Sequence, residues 1–262
     1  LEIFEDFAKK HSHIKIVNVK NNEAFWGNKK YALTLGIKAA KHEHLVFTDA
    51  DCAPASKLWL AEMSKQFSTK KRIVLGYGAY AKKKHSLLNK LIRFETLLTA
   101  VQYFSYAKIG APYMGVGRNL AYTKSTFFST NGFINHMQIR SGDDDLFINE
   151  AGSKTNVALC YRPKSFTLSE PEKSIKNWIR QKRRHVSTAS HYKTKHQLAL
   201  GLFYLSQLLF YALSVILLCA LFKWEFVLAL TCFRLVFQYL VFGFSAFKLK
   251  EKDILYILPF LE

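Results

Sequence analysis

Two apolar stretches near the end constrain this chain more than any other feature. Leu198 to Phe222 is interrupted only by Ser206, Gln207 and Ser214, and Phe226 to Phe244 carries Arg234 and Gln238 as its strongly polar residues. A helix needs about 20 apolar residues to cross a bilayer, so both are long enough. With Lys223-Trp224-Glu225 as the turn between them, they predict a helical hairpin in a membrane. The plainer alternative is a pair of helices buried in a soluble core. The charge favours the hairpin: of the formal +19, about +18 lies before Gln197, so charge and apolar surface are segregated along the chain. The sequence therefore divides into one domain over 1–196 and a membrane segment over 197–262, with a further apolar stretch starting at Ile254. Basic residues precede Leu198 and follow Phe247, whereas the turn carries little charge, which predicts that both ends of the hairpin face the cytoplasm.

A hydrophobic content of 50% excludes a disordered or collagen-like polymer. The excess of Lys and Arg points to an acidic partner: nucleic acid, anionic lipid or a phosphorylated substrate. Cys52, Cys160, Cys219 and Cys232 show no paired spacing, and two lie inside the apolar runs, so neither a disulfide partner nor a zinc framework is expected. Leu1-Glu2-Ile3-Phe4 opens in helical rhythm with no signal peptide, and the chain stops abruptly at Glu262, which reads as a fragment cut at both ends.

The first hundred residues alternate helix and strand signals. The pattern predicts helices over Leu1 to Lys10, Asn28 to Lys41, Lys57 to Phe67 and Ser86 to Tyr106, and strands over Ile14 to Val19, Leu45 to Thr48 and Ile73 to Tyr80. This is the α/β rhythm of a parallel sheet. The last helix could lie on a membrane surface behind Lys82-Lys83-Lys84 or belong to the core.

Three clusters can carry chemistry. Leu45-Val46-Phe47-Thr48-Asp49-Ala50-Asp51 ends an apolar strand in Asp-x-Asp, where carboxylates suit Mg²⁺ or Mn²⁺ shared with nucleotide phosphates. Ser141-Gly142-Asp143-Asp144-Asp145 is either a helix N-terminus that welcomes acids or a general base beside carboxylates that hold acceptor hydroxyls. Within the basic stretch from Arg162 to His196, Gln181 and Arg184 share a helix face and could hold a diphosphate. Positive flanking of the first membrane helix explains part of that stretch.

Together these motifs resemble family 2 glycosyltransferases in their membrane-bound bacterial branch, over nearly the whole chain. The resemblance implies a GT-A fold, an α/β nucleotide-diphospho-sugar transferase with a mixed sheet flanked by helices and followed by transmembrane helices. It also implies a nucleotide-sugar donor, a lipid or glycan acceptor and no nucleic acid. In Gly27-Asn28-Lys29-Lys30-Tyr31-Ala32-Leu33, Lys29 best matches a donor-binding lysine. Asp49 and Asp51 match the metal-binding DxD, with Asp51 on the metal and Asp49 near metal or ribose. Gly115-Val116-Gly117-Arg118-Asn119-Leu120-Ala121 looks like the acceptor-side segment, through Gly117 and Asn119. Asp143 aligns with the catalytic base, or Asp144 if the register moves by one, and Asp145 falls on the acceptor side. Gln181 and Arg184 match the start of Gln-x-x-Arg-Trp.

Three departures matter. His185 stands in place of the Trp, which argues for adding one or very few sugars rather than a polymer. The acidic motif reads Gly-Asp-Asp-Asp, and the family's first strand and nucleotide-gripping Asp do not precede Leu1, so the fragment itself is expected to be inactive. Two rivals remain open: transfer to a polyprenyl phosphate, and a non-catalytic membrane-anchored binder of polyanions, which would need neither acidic motif.

Overall fold

The computed structural model describes residues 2–19 and 28–260. Leu1, Gly27 and Glu262 lie outside the described residues. Helix α1 (Glu2–Lys10) is followed by Ile14 to Val19, which forms no strand, contrary to the expectation for that run. Next come α2 (Asn28–Ala39), β1 (His44–Phe47), β2 (Cys52–Pro54) and α3 (Trp59–Ser64). The strand expected over Ile73 to Tyr80 is two strands, β3 (Ile73–Gly76) and β4 (Gly78–Tyr80), which break at Tyr77 and enter different sheets. After α4 (Leu87–Lys108) the chain forms β5 (Leu120–Thr123), α5 (Lys124–Ser129), α6 (Asp145–Ala151), β6 (Val157–Cys160), β7 (Thr167–Ser169) and α7 (Ile175–Val186). Two long helices follow, α8 (Thr194–Cys219) and α9 (Trp224–Lys248), and a 3-10 helix over Lys252–Phe260.

The sheets are mixed rather than parallel. One has the order β1-β5-β3-β6 and the other β2-β7-β4. β1 and β3 run antiparallel to β5, and β3 runs parallel to β6. β7 lies antiparallel to β2 and parallel to β4. The break at Tyr77 puts β3 in the first sheet and β4 in the second. Gly76 allows the close approach there, because a Cβ on it would lie 2.5 Å from Asn119 Cγ.

Helix α4 belongs to the core, with Ile92, Phe94, Leu97, Ala100 and Tyr103 buried. Leu88, Leu91, Leu98 and Val101 on the same helix are half-buried. Arg93 on this helix is buried and donates to Glu251 from Nε (2.9 Å) and to Asp253 from Nη1 (2.8 Å). A guanidinium and a carboxylate held out of water are tolerable because each satisfies the other. Through this contact the chain after α9 returns to the globular unit: Leu249, Ile254 and Leu258 sit in its main hydrophobic cluster. Ile254 and Leu258, in the apolar run that starts at Ile254, thus pack against the core.

Helices α8 and α9 have mean hydropathy of 2.1 and 1.8 and are long and apolar enough to cross a membrane. Their large apolar side chains, such as Leu202, Leu208, Ile216, Phe233 and Phe237, are exposed rather than packed into a core. The end of α9 docks on α4 through Phe242, whose ring lies 5.7 Å from that of Phe94. Midway along the pair, the Arg234 guanidinium lies over the rings of Phe210 and Tyr211.

Candidate active site

The turn after β1 carries the first pair of carboxylates. Thr48 donates from Oγ1 to the Arg118 carbonyl (3.1 Å), and the Cys52 N–H donates to the Asp49 carbonyl (3.0 Å), which closes the turn into β2. Asp49 is half-buried and Asp51 exposed. The ligand atoms of Asp49, Asp51 and Cys52 all lie within 4.8 Å of one another. Two carboxylates so placed fit a small divalent cation that keeps waters and shares phosphate oxygens.

Helix α2 supplies the cation that joins this turn to the acidic loop. Lys29 Nζ lies 3.0 Å from Asp49 Oδ1 and 2.8 Å from Asp143 Oδ2. Burial opposes the charge on Lys29, but the field and hydrogen bonds of Asp143 and then Asp49 outweigh it, so its pKa is raised. Lys30, next along the helix, points the other way and is 1% exposed. Its Nζ donates to the carbonyls of His136 (2.6 Å) and Ile139 (3.0 Å), pinning the loop that leads into the acidic motif. Nothing in the pair Lys29-Lys30 distinguishes these roles by sequence.

The three consecutive aspartates do different work. Gly142 has φ +93°, and a Cβ there would come within 2.5 Å of Leu146 Cδ1, so glycine is required before them. The Asp143 side chain is 11% exposed and turned to Lys29. Asp144 caps α6: its Oδ1 accepts the Asp145 N–H (2.8 Å) and its Oδ2 accepts the Gly117 N–H (2.6 Å). Burial and then its neighbours Asp145 and Asp143 raise the Asp144 pKa against those two bonds. Asp145 is buried and accepts from the Leu146 N–H (2.7 Å), the Tyr192 hydroxyl (2.7 Å) and the Thr188 hydroxyl. Burial raises its pKa too, opposed by Thr188 and Tyr192.

Two residues expected on the acceptor side are therefore turned inward. Asp145 is one. Asn119 is the other: it is fully buried, accepts from Trp59 Nε1 (3.0 Å) and donates to the carbonyls of Tyr77 (2.9 Å) and Ser165 (2.7 Å). A polar residue in a motif reads as available until its burial is known. Gly117 contributes its backbone, through the bond to Asp144. Its neighbour Arg118 lies over the Tyr80 ring (4.2 Å from its centroid) and donates to Ala79 O (3.3 Å) and Ser169 Oγ (3.4 Å).

Helix α7 brings the third motif to the same region. Ser174 caps it, accepting from the Asn177 N–H (3.2 Å), and Lys182 is ion-paired with Glu95. Gln181 lies beside Tyr80 and opposes the rise that burial imposes on the pKa of its hydroxyl, and Arg184 is exposed. Desolvation, then the charges of Lys182, Arg184 and Arg118, lower the His185 pKa to about 4, against the pull of Asp49, so the ring is neutral near pH 7. A cavity of about 880 Å³ flanks the site along β1, bounded by Ser12 to Lys15, by α2 from Lys29, and by His44 to Phe47.

Comparison with known sequences assigns the domain. No curated protein matches the chain. The family model for Glycosyl transferase family 2 matches residues 1–139 of the 262. That span holds Lys29, the Asp49–Asp51 turn and the Gly117 to Asn119 segment, and it ends before Asp143 and α7. The mixed α/β architecture fits the GT-A fold, and the match carries glycosyl transfer from a nucleotide-sugar donor to an acceptor at the level of the family. By this match the chain belongs to glycosyl transferase family 2.

Proposed function

We propose that the protein is an inverting, divalent-metal-dependent hexosyltransferase of the membrane-bound bacterial branch. It moves a sugar from a nucleotide-sugar donor to a hydroxyl of a lipid or glycan acceptor, such as a cell-envelope glycan, at the cytoplasmic face of the inner membrane. The observation that carries this reading is the Lys29 bridge, which holds the DxD turn and the acidic loop within the reach of one ammonium group.

Asp51 with Asp49 would hold Mg²⁺ or Mn²⁺, which supplies neutralisation of the diphosphate as charge develops on it. Lys29, Gln181 and Arg184 provide donors and positive charge for the same diphosphate. The Asp143 carboxylate takes the proton of the acceptor hydroxyl as its oxygen attacks the anomeric carbon. The bond from that carbon to the diphosphate oxygen breaks, its electron pair leaves with the nucleoside diphosphate, and the configuration inverts. Asp144, through Gly117, and Asp145, through Thr188 and Tyr192, position the loop that presents Asp143. Asn119 supports the acceptor-side wall from beneath.

His185 offers a smaller surface than an indole for stacking a sugar ring, so the product should grow by one sugar or very few per encounter. Sizing and anomeric analysis of the full-length enzyme's product test both points. A short product of configuration opposite to the donor is expected. Retention, or long polymer while most acceptor stays unused, would contradict the reading.

The globular unit holds both ends of the α8–α9 hairpin, through His196 and through Leu249 to Leu258. This supports a hairpin inserted from one face, with the basic flank on the cytoplasmic side. Cysteine introduced at Trp224 should label from outside and at Lys250 from inside. Release of the protein by carbonate alone would contradict the insertion.

A further inference from the structure

The residue after the DxD is a cysteine, and its placement is fixed by strand pairing. Cys52 opens β2 and stands opposite Ser169 in the antiparallel β2–β7 register. Its Sγ lies 3.0 Å from Ser169 Oγ and 3.6 Å from Asp51 Oδ1. The sulfur also falls within the 4.8 Å group formed with the oxygens of Asp49 and Asp51. Cys52 is half-buried, and with its sulfur within 4.8 Å of an oxygen of each carboxylate, a cation held between the two would lie within reach of the sulfur.

We propose that Cys52 is a third protein ligand of the cation at the DxD, and that it biases the site toward Mn²⁺ and softer divalent ions over Mg²⁺. This rests on the proposed metal dependence and adds to it the choice of metal. Mg²⁺ is a hard ion that takes oxygen ligands and sheds water reluctantly, so a sulfur in its shell gives little. Thiolate favours softer ions, and affinity along the first row rises from Mn²⁺ toward Zn²⁺. Ligation breaks the S–H bond and forms the S–metal bond, the proton passing to solvent with no change of oxidation state. The Ser169 hydroxyl, 3.0 Å from the sulfur, can donate to the thiolate that ligation leaves.

The test uses the full-length protein and metal ions alone. Cd²⁺ titrated into the wild type should produce the ultraviolet charge-transfer band of a cadmium–thiolate bond, and Cys52→Ser should remove that component. Calorimetric titration with Mn²⁺ and Mg²⁺ should show the Mn²⁺ preference falling about tenfold in Cys52→Ser, a modest effect for a change at a metal site. Cys52→Asp should shift the preference toward Mg²⁺, a reversal that simple loss of folding cannot imitate. The idea is overturned if the band is absent from the wild type, if it survives Cys52→Ser, or if the metal preference does not move. Asp51→Asn separates the two levels. Metal affinity lost in Asp51→Asn but unaltered in Cys52→Ser sinks the ligand role of Cys52 and leaves the DxD reading standing; affinity unaltered in both removes the metal from the DxD as well.

Discussion

Asp143→Asn is expected to lower turnover by about 100-fold or more while donor still binds, because the amide keeps the side-chain shape but cannot accept the acceptor proton. The three aspartates are not interchangeable in this respect. Asp144 has each oxygen engaged by a backbone N–H, and Asp145 is buried under the hydroxyls of Thr188 and Tyr192. Asp143 alone of the three is paired with Lys29. Replacing it also frees Lys29 from one of its two carboxylates, so donor affinity should hold or rise. Turnover numbers and donor dissociation constants measured on the same preparations check the split. A crippled Asp144→Asn beside an active Asp143→Asn would place the base one residue later.

Asp51→Ala is expected to remove the divalent-dependent part of donor binding, on the order of 100-fold in affinity, as several kcal/mol of metal-mediated charge neutralisation disappear. Asp51 is exposed, whereas Asp49 already shares an oxygen with Lys29, so Asp51 is the better placed of the two to take a cation. Its loss should leave the diphosphate facing Asp49 without a metal bridge. Donor titration with and without a chelator reads this directly. If donor affinity is unchanged by both the substitution and the chelator, the cation does not sit at this turn.

Much of the site was legible because its residue types are unusual where they stand. An apolar strand that ends in Asp-x-Asp, and a glycine followed by three aspartates, are costly arrangements that call for a cation or a buried network. The structure places both on one lysine. The register of the sheets was less legible. Ile73 to Tyr80 carries no charged residue, and only Gly76 and Gly78, on either side of Tyr77, hint at the point where one strand becomes two. The direction of the ladders depends on partners far along the chain, which is why a parallel rhythm became a mixed sheet. Ile14 to Val19 has strand composition but forms no ladder, since composition does not supply a neighbour.

Roles that depend on burial were hidden for the same reason. Asn119 and Asp145 have the chemistry of acceptor-binding groups, yet each spends its hydrogen bonds inside the protein. Lys30 differs from Lys29 by about 100° of helix rotation, and that rotation turns a site cation into a loop anchor. Arg93 is one of many basic residues in sequence. Its partners Glu251 and Asp253 are far away beyond the hairpin, and they tie the segment after α9 to the core.

Nucleoside diphosphate released by the full-length, membrane-embedded protein from a panel of nucleotide sugars, with Mn²⁺ and a lipid or glycan acceptor, tests the central claim most directly. The account predicts acceptor-dependent release with a matching gain in acceptor mass for at least one donor, falling by about 100-fold in Asp143→Asn. Polyanion or lipid binding that persists in Asp51→Ala and Asp143→Asn, with no nucleotide released from any donor, would contradict it.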